Sequence, residues 1–384
     1  MPSNGKTKRK LKSHVKINPI IAVRGASLLK SHISLLGVTR TKPDIVFDAA
    51  ITMAGMNESA SGITHIRDNL PSNTTLLKEF HALEYDQLLK TSSDILWESA
   101  GRIIRKGQKY SFAIDATMDP YYGDKENLAI IGGQSKHSTN YFYGYITLAV
   151  TDKGRRLTLA ALPVEKGVPQ LTYIRTFCDK IKQRGCRIRV LCLDRGFYVA
   201  EIIAYLQENQ IPFIIPAKNM SEEMEQKLSG RTAHIFPYTI KGKDQAVSVQ
   251  VFDIVKYRKG KGKKKGVVHH PYVFFGISPN KDLIESHYRH RFAIESTYRE
   301  RNTVRAKTSS KDPVIRYFYF IVAMLLRNVW IALQWEMFAK IQRGPKVVLA
   351  DVFKFKHLIA ILIEVGSQQF PLKDISCLQG FSHG

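Results

Sequence analysis

Apolar residues along this chain change their period twice. From Asp44 to Ala54 they recur at helical spacing, and Gly55-Met56-Asn57 breaks the pattern. Ser59 reads as the cap of a second short helix to about Leu70, and Pro71-Ser72-Asn73 stops it and opens a third, capped by Asn73 or Thr74. Glu84 to Arg105 predicts a longer helix. From Tyr110 the period becomes that of strands. Tyr110–Ile114, ending at Asp115, is followed by Tyr141–Val150 and Leu157–Val164 around the turn Asp152-Lys153-Gly154. An amphipathic helix from Pro169 to Lys182 closes at Gly185, then a buried strand Ile188–Leu193 ends at Asp194. A helix Phe197–Asn209 and a strand Pro212–Ile215 complete an order β-β-β-α-β-α-β. Residues 218–276 depart from that order: Val247–Val255 and Val267–Phe275 predict a β-hairpin whose tip, Lys256 to Lys265, holds seven basic residues in ten. Helical spacing returns from Lys281 to Arg305. A helix apolar nearly all round then runs from Asp312 or Pro313 to Trp335, which is the composition of a core helix.

Charge narrows the functional classes. The 384 residues carry 58 Lys+Arg against 33 Asp+Glu, a net +25, with 44% hydrophobic residues. That is enough apolar material for a large core, and a positive excess of this size matches a polyanion. The longest uninterrupted apolar run, Tyr317–Leu326, is far shorter than the roughly 20 residues that span a bilayer, so nucleic acid is the expected partner and a membrane is not. The first 40 residues carry nine Lys or Arg and no acid, which reads as a basic arm. Cys178, Cys186, Cys192 and Cys377 show no metal-ligand spacing and read as reduced thiols in a cytoplasmic compartment. Lys259, Lys261, Lys263, Lys264 and Lys265 at the hairpin tip would track phosphates as point charges.

No Walker loop, dinucleotide fingerprint or nucleophile elbow is present. Three carboxylates stand out instead. Asp115 and Asp194 each follow an apolar strand, at the edge where α/β sheets place their sites, although either alone reads equally as a cap or turn residue. Tyr288, Arg291, Glu295, Arg299 and Asn302 are spaced 3, 4, 4 and 3, which on one continuous helix makes a single stripe. Such a stripe is also what an ordinary exposed ion-pair face looks like. Three carboxylates from two strand ends and a helix can hold two divalent cations about 3.5–4 Å apart for an in-line phosphoryl displacement. Oxygen ligands of this kind suit Mg²⁺ or Mn²⁺, and flanking Arg residues suit phosphate.

At these residues the chain resembles the DDE transposases of prokaryotic insertion sequences, in the branch marked by Tyr-x2-Arg-x3-Glu-x6-Lys. Tyr288, Arg291 and Glu295 match, and Asn302 stands at the Lys position, with Arg301 or Arg305 as substitute cations. Ile114-Asp115-Ala-Thr with Pro120-Tyr121-Tyr122-Gly123, and Asp194-Arg195-Gly196-Phe197-Tyr198, are similar to the two aspartate regions, and the carboxylates are separated by 79 and 101 residues.

The resemblance implies an α/β, ribonuclease-H-like mixed sheet with flanking helices and catalytic, metal-binding Asp115, Asp194 and Glu295. It implies Tyr288 and Arg291 on a phosphate near the cleaved end, and cut-and-paste transposition by a dimer in a synaptic complex on double-stranded DNA. On that basis residues 1–108 are expected to be a basic arm and a helix-turn-helix-like DNA-binding region. Residues 109–217 and 277–345 are the two parts of a catalytic core, 218–276 a β-rich insertion with a basic tip, and 346–384 a helical tail. Arg299, Arg301 and Arg305 are expected on DNA, in a prokaryotic cytoplasm at the nucleoid. A nuclease that cuts without rejoining, and a DNA-binding protein descended from a transposase, are the alternatives.

If the charge excess serves DNA, binding of a duplex weakens steeply with salt, by a log–log slope of about −0.9 per phosphate neutralised. A salt titration of duplex affinity checks this, and a flat response contradicts it.

Overall fold

The computed structural model describes residues 17–123, 126–127, 129–136, 138–218, 221–259, 266–340, 347–349 and 351–374. The basic segment 1–16 and the tip lysines Lys261, Lys263, Lys264 and Lys265 lie outside them. The arm expected over the first 40 residues is helical in its second part: α1 (Ile17–His32) buries Ile21 and Leu29 completely. Gly25 lies between them at four-residue spacing, and a Cβ there would meet Ile51 at 3.0 Å. The small residue therefore lets α1 approach the next helix, a packing signal that the basic composition obscured.

Four further helices follow: α2 (Pro43–Met56), α3 (Ala60–Ile66), α4 (Asn73–His81) and α5 (Tyr85–Ser99). Ser59 caps α3 by accepting from the Gly62 N–H, as its position predicts, but α4 is capped by Ser72 rather than Asn73 or Thr74. The predicted run to Arg105 ends early because Gly101 adopts φ +56°, a left-handed conformation that stops a helix.

The sheet comprises β1 (Lys109–Pro120), β2 (Ile130–Lys136), β3 (Thr139–Val150) and β4 (Thr158–Pro163), then β5 (Arg187–Leu193) and β6 (Phe213–Pro216) after α6 (Gln170–Gln183) and α7 (Ala200–Glu208). Beyond α8 (Glu222–Lys227) come β7 (His234–Lys241), β8 (Ala246–Arg258) and β9 (Gly266–Phe275). The strand order is β2-β3-β1-β5-β6-β9-β8-β7, with β4 also on β3. Pairing is parallel for β1–β5 and β5–β6 and antiparallel elsewhere.

Two expectations change here. The insertion is part of the main sheet, because β9 pairs with β6. And β1 runs on to Pro120 instead of stopping at Asp115, because antiparallel β3 accompanies it from Phe112↔Val150 to Pro120↔Phe142. Its parallel neighbour β5 does stop there, the last pair being Ile114↔Leu193. Strands β2 and β7 and helix α8 have weak or polar patterns and were not foreseen. The expected hairpin of β8 and β9 is present, paired from Gln250↔Phe274 to Arg258↔Gly266. Only residues 272–275 of β9 contact β6, so residues 266–271 project past the sheet edge, by about 20 Å at the usual rise of about 3.3 Å per residue.

The glutamate segment forms two helices, α9 (Lys281–Arg291) and α10 (Ala293–Thr303), with the break at Phe292. The expected five-residue stripe is therefore divided between them. After it, α11 (Pro313–Met337) is capped by Asp312 and is long and apolar enough to cross a membrane. Its apolar window is 83% buried inside this fold, where it packs with α1–α5, Tyr143 and Tyr145 in one core. Helix α12 (Phe355–Gln369) joins the same core through Leu358 and Leu362.

Asn328 on α11 is fully buried. Its Oδ1 accepts from the Thr158 N–H at 3.0 Å, and its Nδ2 donates to Thr158 O at 2.6 Å and Ser99 Oγ at 2.9 Å. Asn328→Leu strips partners from buried backbone and hydroxyl groups at about 1–3 kcal/mol for each group left unsatisfied. A marked fall in melting temperature is expected, read by thermal unfolding.

Candidate active site

Strand alternation decides which way the aspartates point. On β1, Phe112 and Ile114 lie in the core beneath α6 and α7, while Ala113 lies in the opposite core with Ile284, Tyr288 and Ile294 of α9 and α10. Asp115 continues the Ala113 side. On β5, Leu191 and Leu193 take the first core and Val190 and Cys192 the second, so Asp194 follows onto the same face. Two aspartates, each the residue after the last parallel pair of β1 with β5, thus face α9 and α10, the second of which carries Glu295. Asp194 also caps the 3-10 turn Arg195–Phe197 by accepting from the Gly196 N–H at 2.8 Å.

Asp115 is buried, whereas Glu295 is exposed. Arg291, also buried, stands between them, 3.4 Å from Asp115 and 3.8 Å from Glu295. Its guanidinium lies 5.0 Å from the ring centroids of Tyr288 and Phe292, and its Nε is buried without a hydrogen-bond partner. Burial raises the Asp115 carboxyl to about 7; Arg291 pulls it down, and Asp194 and then Glu295 push it up. Burial works against the Arg291 charge, but Tyr288, Asp115 and Asp194 outweigh it and hold its value high.

This donor set fits a divalent cation. One carboxylate is desolvated, and two more act on it electrostatically. Among the described residues no group of three His, Cys, Asp or Glu side chains already forms a metal cluster; Arg291 is the cation that Asp115 and Glu295 share.

Helix α10 is held to the sheet by contacts that the sequence did not disclose. Tyr298 donates to the backbone oxygen of Asp115 at 3.1 Å and meets Thr147 Oγ1 at 2.7 Å. Arg301, expected on DNA, is 1% exposed: its Nη2 donates to Asp119 Oδ1 at 2.7 Å, and the guanidinium lies 4.9 Å from the Phe320 ring. Arg305 reaches Asp119 Oδ2 at 2.7 Å. Burial opposes the Asp119 charge, but Arg301 and Arg305 exceed it and hold the carboxyl below its ordinary value. Asp119, half-buried on β1, thus anchors two arginines. Glu300 accepts from buried Arg327 of α11 at 2.7 Å. Asn302, at the expected Lys position, is exposed and accepts from Arg301 through Oδ1. Of the remaining predicted DNA contacts, Tyr288 is largely buried, Arg299 is exposed and bonded to Ser296 Oγ, and Lys259 is exposed.

The sequence model of the family described as "Transposase DDE domain" matches residues 106–328, more than half of the chain. The chain belongs to this family of DDE transposases. Among solved structures the transposase is similar to one titled "Cryo-EM structure of piggyBac transposase synaptic complex with hairpin DNA (SNHP)". The TM-score is 0.52 at 11% identity, covering 91% of this chain and 77% of that one, which is a likeness of fold. No curated protein matches the sequence. DDE transposases generally use divalent metals, in keeping with the carboxylates of this DDE transposase.

Asp115 should titrate with a midpoint near 7, well above the ordinary 3.8. The folded chain then keeps a proton that the unfolded chain has released. Stability from this group is therefore greatest below about pH 4 and falls as pH rises through the folded value. Arg291→Met removes the lowering charge and moves the midpoint higher still. Carbon-13 NMR of the aspartate carboxyls reads both, and an unchanged midpoint in the variant contradicts the electrostatic account.

Proposed function

We propose that this DDE transposase cuts DNA at the ends of a prokaryotic insertion sequence and joins the freed 3′ ends to target DNA. The observation that carries this is the convergence of Asp115 and Asp194, where the parallel pairing of β1 with β5 ends, on the face covered by the Glu295 helix. The succession β4-β3-β1-β5-β6, with α6 and α7 between parallel strands, supports a ribonuclease-H-like core.

In this reading Asp115, Asp194 and Glu295 hold Mg²⁺ or Mn²⁺, two ions in the complete site. When bound, such ions lower the pKa of the attacking hydroxyl or water and stabilise the leaving oxygen. Arg291 and Tyr288 place the phosphate, and the buried Arg291 Nε–H has no hydrogen-bond partner among the described residues. In the first step a water oxygen attacks the phosphorus at the element's end. The P–O3′ bond breaks, and the 3′ oxygen leaves as a hydroxyl. In the second, that hydroxyl attacks a target phosphodiester, a new P–O bond forms, and the target's own 3′-hydroxyl is released. The exposed Arg299 and Lys259, and the partly exposed Arg305, supply backbone contacts. Arg301, held on Asp119, positions α10 instead.

Helices α2–α4 are the proposed reader of the terminal repeats. Two copies would pair the ends, which the synaptic complex of the structural neighbour supports. The Tyr-x2-Arg-x3-Glu spacing favours the branch that carries this signature, working on the nucleoid in a prokaryotic cytoplasm.

The test is cleavage of a duplex carrying the repeats that flank the gene. Asp115→Ala, Asp194→Ala and Glu295→Ala are each expected to retain end binding and lose Mg²⁺-dependent cutting and joining. Cutting by all three variants would sink the assignment of the site.

A further inference from the structure

Asp253 on β8 is a carboxylate that the centre described above does not use. It is fully buried, its Oδ2 lies 2.5 Å from His269 Nδ1 on β9, and its Oδ1 has no hydrogen-bond partner. Among the described residues the other deeply buried acids are Glu79 and Asp115. Glu79 accepts from the Thr39 N–H, and Asp115 belongs to the catalytic carboxylates. Burying an incompletely paired carboxylate is costly. What this one accomplishes is to fix the ring of His269, leaving Nε2 for the cavity that His269 lines.

That cavity, of about 420 Å³, is also lined by Arg195, Glu225, Ala217 and Pro271. Its position follows from the sheet. Arg195 directly follows Asp194, and the Ala217 N–H donates to Pro271 O at 2.9 Å where β9 crosses the end of β6. The cavity therefore opens at the same sheet edge that bears Asp115 and Asp194, two strands further on, but His269, in step with Pro271 and Val273 along β9, lies on the face covered by α6 and α7 and not on the face that Asp115 and Asp194 share. At about 4.8 Å between strands the β9 wall is ~10 Å from β5 along the sheet, so a DNA strand passing over this edge, at ~3.4 Å per nucleotide, would reach it a few nucleotides from the cut. The projecting part of the β8–β9 hairpin rises from this point with Lys256, Arg258 and Lys259 exposed. The Arg195 side chain is exposed and makes no hydrogen bond or ion pair among the described residues.

We propose that Arg195 and His269 form a second phosphate subsite, which holds a backbone phosphodiester of the DNA strand a few nucleotides from the one being cut. The proposal rests on the reading of the chain as a DNA-cutting transposase. A guanidinium presents a fork to phosphate oxygens. In a charged imidazole both ring nitrogens donate, Nδ1 to Asp253 and Nε2 to the phosphate. Glu225, exposed on the same wall, opposes an anion there and so supplies a variant of opposite sign.

The experiment is fluorescence anisotropy of the full chain with a labelled duplex of about 30 bp of arbitrary sequence, in EDTA across a salt series, since phosphate contacts do not depend on sequence. Arg195→Gln and His269→Gln should each weaken binding several-fold and make the log–log salt slope shallower by about 0.9, one phosphate's worth. Glu225→Gln should tighten binding. Asp253→Asn should weaken binding in the wild-type background and add nothing in His269→Gln. Arg195 and Glu225 are exposed, so their variants test the site without threatening the fold. Unchanged slopes in Arg195→Gln and His269→Gln, beside a steep wild-type slope, overturn the subsite and leave the transposase reading in place. A wild-type chain with no salt-dependent duplex binding overturns both. If inorganic phosphate raises the wild-type melting temperature but not that of Arg195→Gln, while duplex binding is the same for both, the cavity takes a free anion and the DNA subsite is overturned.

Discussion

The parallel pairing of β1 with β5 is the contact from which the site follows. It brings two apolar strands into register up to Ile114 and Leu193 and ends there. The next residue on each is an aspartate, and strand alternation sends both to one face. At the next residue β1 still has a partner in β3, at Asp115↔Thr147, whereas β5 gives way to the turn at Arg195. Asp115 is thus still held by β3, whereas Asp194 stands at an open edge. The difference in burial between them, and the raised value of Asp115, come from this arrangement.

The third carboxylate depends on a separate set of constraints. Helix α10 has no strand register to place it; buried polar contacts do so instead. Tyr298 reaches the Asp115 backbone, Arg301 reaches Asp119 four residues further along the same strand, and Glu300 reaches Arg327 of the core helix. A buried ion pair adds little net stability against an apolar alternative, but it is strongly directional. Here it ties the helix of Glu295 to the strand of Asp115. The break at Phe292 sets Arg291 at the end of α9 and Glu295 in the first turn of α10, which lets the arginine face inward while the glutamate stays in solvent. Arg291 then meets the charge of Asp115 directly, so any cation that enters must share that carboxylate with it or displace it.

Several of these features were legible in the order of residues. Strands with continuous apolar runs, the helix between them, the caps at Ser59 and Asp312 and the hairpin of β8 and β9 all follow from local pattern. So do the three carboxylates, because each stands where an apolar element ends or next to an arginine at helical spacing. The features that local pattern does not show have a common cause. Helix α1 was hidden by basic composition although Ile21, Gly25 and Leu29 mark a packed face. Strand β2, Ile-Ile-Gly-Gly-Gln-Ser-Lys, has no strand pattern and exists because β3 offers it an edge. Arg301 looked like a surface cation because nothing local says that Asp119, 182 residues earlier, lies beside it.

The sequence by itself determined the elements, their order and the candidate chemistry. These rest on short-range physics: side-chain period, turn residues and caps act within a few positions of the chain. The tertiary structure decided which charges face water and which face one another. That choice depends on contacts between residues far apart in the chain and on the cost of removing each charge from solvent. Asp115 and Asp253 are both aspartates on strands, yet one meets two further carboxylates and an arginine, and the other meets a single histidine. No local pattern separates the two. Sheet order does, by placing Asp115 beside β5 and Asp253 in the hairpin that rises from the far end of the same edge.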